Sequence, residues 1–172
     1  AQNTQAPLTH LPALPNIEFT SPLDLVVEDF EIANITIEQN EAQHVIENIS
    51  LQLSVEDAFI NLESFSAKYE QWQLNTHLNA ELAGNLPVKG DVVLQSDEHQ
   101  ANLQLNGDLS NLNLNLETQG QYPLSLTAMA NLKQKNYPFE LNGKIKQWLI
   151  DAQSNELKVR NVNLNAQGNA DD

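Results

Sequence analysis

Apolar and polar residues alternate almost without a break between Ala101 and Leu132. Successive side chains of a β-strand point to opposite faces of a sheet, so a period of two predicts strands with one apolar and one polar face. The apolar positions change parity between Leu109 and Leu112, which predicts a turn there. An apolar face of this kind must be covered in the folded protein. The need to cover this apolar face is therefore what most limits the folds that the chain can adopt.

The same alternation recurs along most of the chain and predicts roughly a dozen antiparallel strands and no helix of three turns or more. Strands are predicted over residues 59–69, 72–82 and 88–94, and residues 72–82 show one of the longest clean alternations. Slips of register are predicted near Asn34 and before Trp148, because one extra residue turns every later side chain to the opposite face.

Three regions are expected along the chain. Residues 1–16 contain Pro7, Pro12 and Pro15 and no periodicity, which predicts an extended, partly disordered lead-in. Residues 17–168 are expected to form one repetitive strand-rich segment. Residues 169–172 are expected to be a tail, and both ends look like cut points within a longer chain.

The composition excludes several classes of function. Eight Lys and Arg stand against 23 Asp and Glu, a net charge of −15, so the chain repels nucleic-acid phosphates and offers no basic patch to anionic lipid. It contains no Cys, which excludes thiolate ligands and disulfides and weakly favours the periplasm or the cell exterior. No run approaches the roughly 18 apolar residues that a membrane helix needs.

Candidate catalytic and metal-binding groups are few, and the sequence predicts neither an enzyme nor a cofactor nor a metal site. No histidine has a second His or a Cys at ligand spacing; the four are His10, His44, His77 and His99. The acidic clusters at 28–31 and 56–57 are interpreted as solvated surface, since no second functional group lies nearby in sequence. Trp72 and Trp148 are interpreted as packing at the sheet edge, or alternatively as the rim of an apolar groove.

Two arrangements cover the apolar face without a helix. The sheet packs on a second sheet as a β-sandwich, or it curls into an open groove that something else fills. Alternation alone does not decide between them, and the β-sandwich is favoured because it is the more common architecture among proteins.

The stretch from residue 11 to residue 32 resembles the TamB family, within the AsmA-like repeating β-groove proteins. Those proteins restart after a Pro-rich linker with a Pro-Leu-x-Leu-x-Val-Glu strand, and here Pro22-Leu23-Asp24-Leu25-Val26-Val27-Glu28 follows Leu11-Pro12-Ala13-Leu14-Pro15. Residues 84–88 and 105–124 are similar to the family's cycle of Gly, amphipathic strand, Pro-Leu and amphipathic strand. The likeness spans about Leu11 to Gly168.

The resemblance implies a non-enzymatic periplasmic segment of a protein anchored in the inner membrane of a Gram-negative bacterium. It implies a curled, U-shaped open sheet, the β-groove or β-taco, with an apolar interior for phospholipid acyl chains. It also implies phospholipid transport between the two membranes, assembly of outer-membrane proteins such as autotransporters, and the Omp85-type barrel TamA as partner through parts outside this chain.

The groove lining is expected to consist of large apolar side chains on the alternating strands. The predicted residues are Leu74, Leu78, Leu82, Leu103, Leu105, Leu109, Leu112, Leu114, Leu116, Leu124, Leu126, Phe139, Leu141 and Ile145. Two alternatives to lipid shielding remain: a scaffold that pairs its edges with outer-membrane strands, and a closed β-sandwich adhesion domain.

Overall fold

A computed structural model describes residues 12–39, 42–152 and 155–170. The fold is all-β, as predicted, and the described residues contain no helix. The strands are β1 (Ile17–Glu18), β2 (Leu25–Gln39), β3 (Ala42–Glu56), β4 (Phe59–Tyr69), β5 (Trp72–Glu81), β6 (Ala83–Gly84), β7 (Val88–Gln95), β8 (Gln100–Asp108), β9 (Asn111–Gln119), β10 (Leu124–Ala130), β11 (Phe139–Ala152) and β12 (Asn155–Gly168).

Ten of these strands form one antiparallel sheet in the order β12-β11-β10-β9-β8-β7-β5-β4-β3-β2. The order follows the chain because short turns join each strand to its neighbour, apart from the excursion through β6. The sheet is curled and open, since β2 and β12 lie at opposite edges and do not pair with each other. The sandwich alternative is wrong, because the large sheet has no second sheet packed on its apolar face within the described residues.

The sheet buries very few apolar side chains completely, and most of those on its apolar face are partly exposed. Among the described residues only Leu109 and Ile145 are buried hydrophobic side chains, at 7% and 6% exposure. A closed sandwich of this size would bury many side chains of both sheets in a dry core. The apolar face is therefore open.

A bulge on β2 shifts the register earlier than the sequence predicts. Val27 lies opposite Leu53 and Phe30 opposite Leu51, so Glu28 and Asp29 together oppose one residue of β3. This extra residue keeps Val27 and Phe30 on the same face although their positions differ in parity.

Near Asn34 the pairing of β2 with β3 continues without a shift of register. Ile32 lies opposite Ile49 and Ile35 opposite Ile46, so the apolar positions of both strands change parity at the same step. Asn48 lies at that step in the left-handed region, with φ of 52°. The parity change predicted near Asn34 is thus produced by a backbone kink at Asn48 of β3, and not by an extra residue in β2.

The residues before β2, numbers 12–24, run across the ends of other strands, and we call them the strap. The Leu14 N–H donates to the Leu132 carbonyl at 3.0 Å, and the Ser21 N–H donates to the Asp57 carbonyl at 2.6 Å. Between these contacts β1 pairs with β6. The strap crosses the strand ends that carry the connections 57–58, 82–87, 109–110 and 131–138, and we call this side of the sheet the strapped lip.

Gly107 is the position where an added side chain is expected to disturb the sheet most. Its φ is 125°, and a Cβ there would lie 1.9 Å from the Asn111 carbonyl oxygen. Gly84, with φ of 60°, has nothing within 4 Å of the same added atom. Gly84→Ala should therefore cost about 1–2 kcal/mol of unfolding free energy, from backbone conformation alone.

Gly107→Ala should cost about 3 kcal/mol or more, because the clash adds to the conformational term. Urea unfolding of both variants beside the parent chain measures the difference. Equal losses at the two glycines would contradict the close approach of Asn111 to Gly107.

Candidate functional site

The open face is built from rows of apolar side chains that cross the whole sheet. Directly opposed residues of antiparallel strands project to the same face. The central row takes one residue from each of the ten strands: Val27, Leu53, Leu62, Leu78, Gly90, Leu105, Leu114, Ala128, Leu141 and Ala166.

Two parallel rows flank the central one. The row nearer the strapped lip is Leu25, Val55, Ile60, Ala80, Val88, Gly107, Leu112, Ala130, Phe139 and Gly168. The row on the other side is Phe30, Leu51, Phe65, Thr76, Val92, Leu103, Leu116, Leu126, Gly143 and Leu164. Thr76 is the one polar residue in these rows, and its hydroxyl donates to the Asp91 carbonyl at 2.7 Å.

The register brings most of the predicted lining residues onto this face. They are Leu74, Leu78, Leu103, Leu105, Leu112, Leu114, Leu116, Leu124, Leu126, Phe139, Leu141 and Ile145. The opposite face is polar, as the alternation predicts; one of its rows contains Gln104, Asn115, Thr127, Asn142 and Asn165.

The other two predicted residues lie outside the strands, at the strapped lip. Leu82 follows β5, and its N–H donates to the Ala58 carbonyl at 2.7 Å. Leu109 lies in the β8–β9 turn; its N–H donates to the Asn85 carbonyl, and its own carbonyl accepts from the Leu132 N–H at 2.7 Å. Leu109 is buried at this lip, in contrast to the partly exposed residues of the three rows.

The most apolar concavity of the face has a volume of about 530 Å³. It is lined by Ile46, Ile49, Phe65, Ala67, Tyr69, Trp72, Leu74 and Leu94. Ile46 and Ile49 reach the same concavity despite their different parity, which is the consequence of the kink at Asn48. Of these residues, Leu74 belongs to the predicted lining and Trp72 is the alternative rim residue; the parity change within β3 obscures the contribution of Ile46 and Ile49.

Aromatic and histidine side chains gather at the strand ends opposite the strapped lip. His44 Nδ1 and Tyr69 Oη lie 2.6 Å apart in hydrogen-bond contact. The Trp72 and His99 rings lie 6.1 Å apart. The Tyr122 and Trp148 rings meet edge to face at 6.1 Å, and Trp148 Nε1–H donates to the Pro123 carbonyl at 3.1 Å.

We call this side the aromatic lip, defined by His44, Tyr69, Trp72, His99, Tyr122 and Trp148. Partial desolvation and the neighbouring Glu70 carboxylate raise the pKa of Tyr69 above its ordinary value. The alternative interpretation of the two tryptophans, as rim residues, agrees with this placement. The tyrosines and histidines of the lip were missed because they lie at strand ends and in turns, outside any period.

The acidic clusters and the described histidines lie at separate places in the fold. Glu28 and Asp29 lie on the exposed β2 bulge, and Asp57 lies in the β3–β4 turn with φ of 50°. His77 Nδ1 lies 3.1 Å from Asp91 Oδ2 on the polar face. Within the described residues, no three His, Asp or Glu side chains are grouped as metal ligands, and His10 lies outside the described residues.

Asp108 closes the β8–β9 turn and provides a pH-dependent contribution to stability. Its carboxylate accepts from the Ser110 N–H at 2.7 Å and from the Asn111 N–H at 3.1 Å. These bonds, the Ser110 one foremost, and the Asn85 side chain lower the pKa of Asp108. Since the folded-state pKa lies below the unfolded one, the stabilisation is present above the unfolded pKa and is lost as pH falls through the folded pKa.

Asp108→Asn keeps an acceptor oxygen but does not titrate. The advantage of the parent chain over this variant in unfolding free energy should therefore shrink as the pH is lowered through the acidic range. Urea unfolding as a function of pH measures it, and a constant difference at every pH would contradict the assignment.

The family description "TamB, N-terminal domain" matches residues 1–172. The chain belongs to the TamB family. The TamB family is a non-enzymatic transport and assembly family associated with the bacterial envelope and with TamA. No curated protein and no solved structure gives a significant match. The described residues include no helix with the length and apolar character to cross a bilayer.

Proposed function

We propose that this chain is a periplasmic groove segment that shields phospholipid acyl chains from water. In this role it contributes to phospholipid transport between the inner and outer membranes and to outer-membrane protein assembly with TamA. The observation that carries the proposal is the apolar face itself: three rows of apolar side chains cross ten strands, and only two hydrophobic side chains of the described residues are buried.

The dimensions of the face suit acyl chains. Ten strands at a spacing of about 4.8 Å give a groove about 43 Å long, shorter than the roughly 55 Å that a dozen strands would give. The shortest strand of the sheet, β10, has 7 residues and spans about 23 Å, more than the roughly 15 Å of one leaflet's hydrocarbon. An acyl chain can therefore lie within the width of the sheet.

The energetics favour binding and movement together. Each buried methylene favours the apolar face by roughly 0.8 kcal/mol. The three rows repeat similar apolar side chains from strand to strand, so a chain that moves along the groove exchanges one set of contacts for an equivalent one. Such a surface holds lipid without fixing it at one position.

The test is native mass spectrometry with lipid extraction on the 172-residue chain purified from a bacterial host. We expect co-purified phospholipid, and we expect an apolar dye to bind the lipid-stripped protein. A lipid-free protein that folds cooperatively and binds no dye would refute the proposal.

Edge pairing with outer-membrane strands is a second candidate, favoured by the length of the edge strand. The β2 strand spans 15 residues and pairs on one side only, with β3. Its bulge and its acidic residues, however, are features that protect edges from pairing. Crosslinking from β2 backbone positions to an outer-membrane strand, without crosslinks from the apolar face, would favour this candidate over lipid shielding.

A further inference from the structure

The two lips of the groove differ in chemistry. At the aromatic lip the strands are joined by the turns 70–71, 96–99 and 120–123. At the strapped lip they are joined by the connections that the strap crosses. The aromatic lip extends from β3 to β11, eight adjacent strands and about 34 Å of groove length. The difference between the lips therefore runs along most of the groove.

Side chains with an apolar ring and a polar tip are concentrated at the aromatic lip. Both tryptophans of the chain, two of its three tyrosines and two of its three described histidines lie there. At the strapped lip the described rings are Phe19, Phe59, Tyr137 and Phe139, of which only Tyr137 has a polar tip. Tyr and Trp are enriched where hydrocarbon meets polar headgroups, because one end of the ring is apolar and the other hydrogen-bonds.

The strapped lip is closed by backbone pairing. The strap pairs with β6 and donates to the Leu132 and Asp57 carbonyls, and Lys133 donates to the Asn16 side chain. Leu109, whose carbonyl accepts from the Leu132 and Lys133 N–H groups, is buried at 7% exposure. The strap therefore covers the strand ends on this side, whereas the aromatic lip opens directly into the 530 Å³ concavity beside Tyr69 and Trp72.

The charges at the aromatic lip select among headgroups. Its turns carry Glu70, Asp97 and Glu98, all exposed, and residues 70–71, 96–99 and 120–123 contain no Lys or Arg. Beside the 120–123 turn, Lys144 and Lys146 line a concavity with Gly120 and Pro123. A zwitterionic headgroup therefore finds partners for both of its charges, since its ammonium is attracted to the carboxylates and to the faces of aromatic rings and its phosphate to the lysines. The carboxylates of the turns repel a headgroup whose net charge is negative.

We propose that the aromatic lip receives the headgroups of zwitterionic phospholipids while their acyl chains point across the sheet toward the strapped lip. This inference rests on the proposed function and adds the headgroup class and the orientation of the bound lipid. The headgroups then form a row beside the aromatic side chains, and movement along the groove keeps every headgroup at the wet edge.

The chain supplies its own reporters for the test. Its only two tryptophans lie at the aromatic lip, and because it has no Cys, Ser110→Cys places a single bimane label at the strapped lip. The protein is loaded from phosphatidylethanolamine vesicles doped with lipid carrying a nitroxide either on the headgroup or near the end of an acyl chain, and the vesicles are then removed. Head and chain end are separated by about half a bilayer, so quenching distinguishes them.

We expect the headgroup nitroxide to quench tryptophan at least roughly twice as strongly as the chain-end nitroxide, and the reverse ratio for bimane at Ser110→Cys. Tyr69→Phe with Tyr122→Phe keeps both rings and both tryptophans but removes two polar tips, and should move the tryptophan ratio toward one. Tyr137→Phe, at the strapped lip, is the matched control and should leave that ratio unchanged. Loading from phosphatidylglycerol vesicles should be weaker, and more so at low salt.

A reversed ratio, or equal quenching at both lips, would overturn the orientation while leaving lipid shielding intact. Equal loading from the two kinds of vesicle would overturn the headgroup preference. If no lipid remains with the protein and neither probe is quenched, the proposed function itself fails.

Discussion

Replacing Leu114 by aspartate should reduce co-purified phospholipid at least about tenfold, which corresponds to about 1.4 kcal/mol, and leave β-type circular dichroism unchanged. Leu114 lies in the central row, between Leu105 and Ala128 on the neighbouring strands. A carboxylate there would face hydrocarbon without a partner whenever lipid is bound, at a cost of several kcal/mol. In the lipid-free protein the same carboxylate reaches water, so the fold is retained.

Asn115→Asp is the matched control. It adds the same charge one residue along β9, on the polar face opposite Gln104 and Thr127. Lipid extraction with mass spectrometry should give parent-like amounts for this variant. Unfolding of Leu114→Asp would contradict the open face, because only a position covered by protein is destabilised severely by an aspartate. Equal loss of lipid in both variants would point to net charge as the cause instead of the groove.

The alternation of the sequence predicts the strands and their two faces because both depend on the local period alone. Strand β4 runs from Phe59 to Tyr69 as predicted, and β5 and β7 differ from the prediction by one residue at an end. The choice between a groove and a sandwich depends on contacts between distant strands. The period carries no information about those contacts. Only the resemblance to the TamB family favours the groove over the sandwich.

Features that depend on pairing between strands cannot be predicted from the local sequence pattern. The bulge at Glu28 and Asp29 is visible only from the register of β2 against β3, and the kink at Asn48 changes the parity of two strands together. The Pro-rich pattern predicts an extended, partly disordered lead-in over residues 1–16, of which residues 12–16 belong to the strap. The hydrogen bonds of the strap join Leu14 to Leu132, more than a hundred residues away, and no local pattern encodes that partnership.

The aromatic lip illustrates the same limit. Trp72 was recognised as a rim candidate from its position at the start of a strand. Its neighbour His99 is 27 positions away in sequence, so no local pattern predicts that their rings lie 6.1 Å apart. A chemical asymmetry between the two lips becomes visible only when the turns of one side are compared with those of the other.

Leu109→Ala should lower the unfolding free energy by about 2–3 kcal/mol, as is usual for truncating a buried leucine. Leu109 is one of two buried hydrophobic side chains among the described residues, and its backbone links the β8–β9 turn to Asn85 and Leu132. Its loss therefore loosens the strapped lip. Urea unfolding gives the value, and lipid bound per folded molecule should stay near that of the parent chain.

Leu164→Ala removes the same atoms from a side chain that is 43% exposed on the open face. It should cost about 1 kcal/mol, because less apolar surface leaves water there on folding than at Leu109. Comparing the two variants distinguishes a leucine that stabilises the fold from one that lies on the open face. If Leu109→Ala instead loses lipid and keeps its stability, Leu109 lines the groove as the sequence predicts, and the strapped lip is held by its backbone pairing alone.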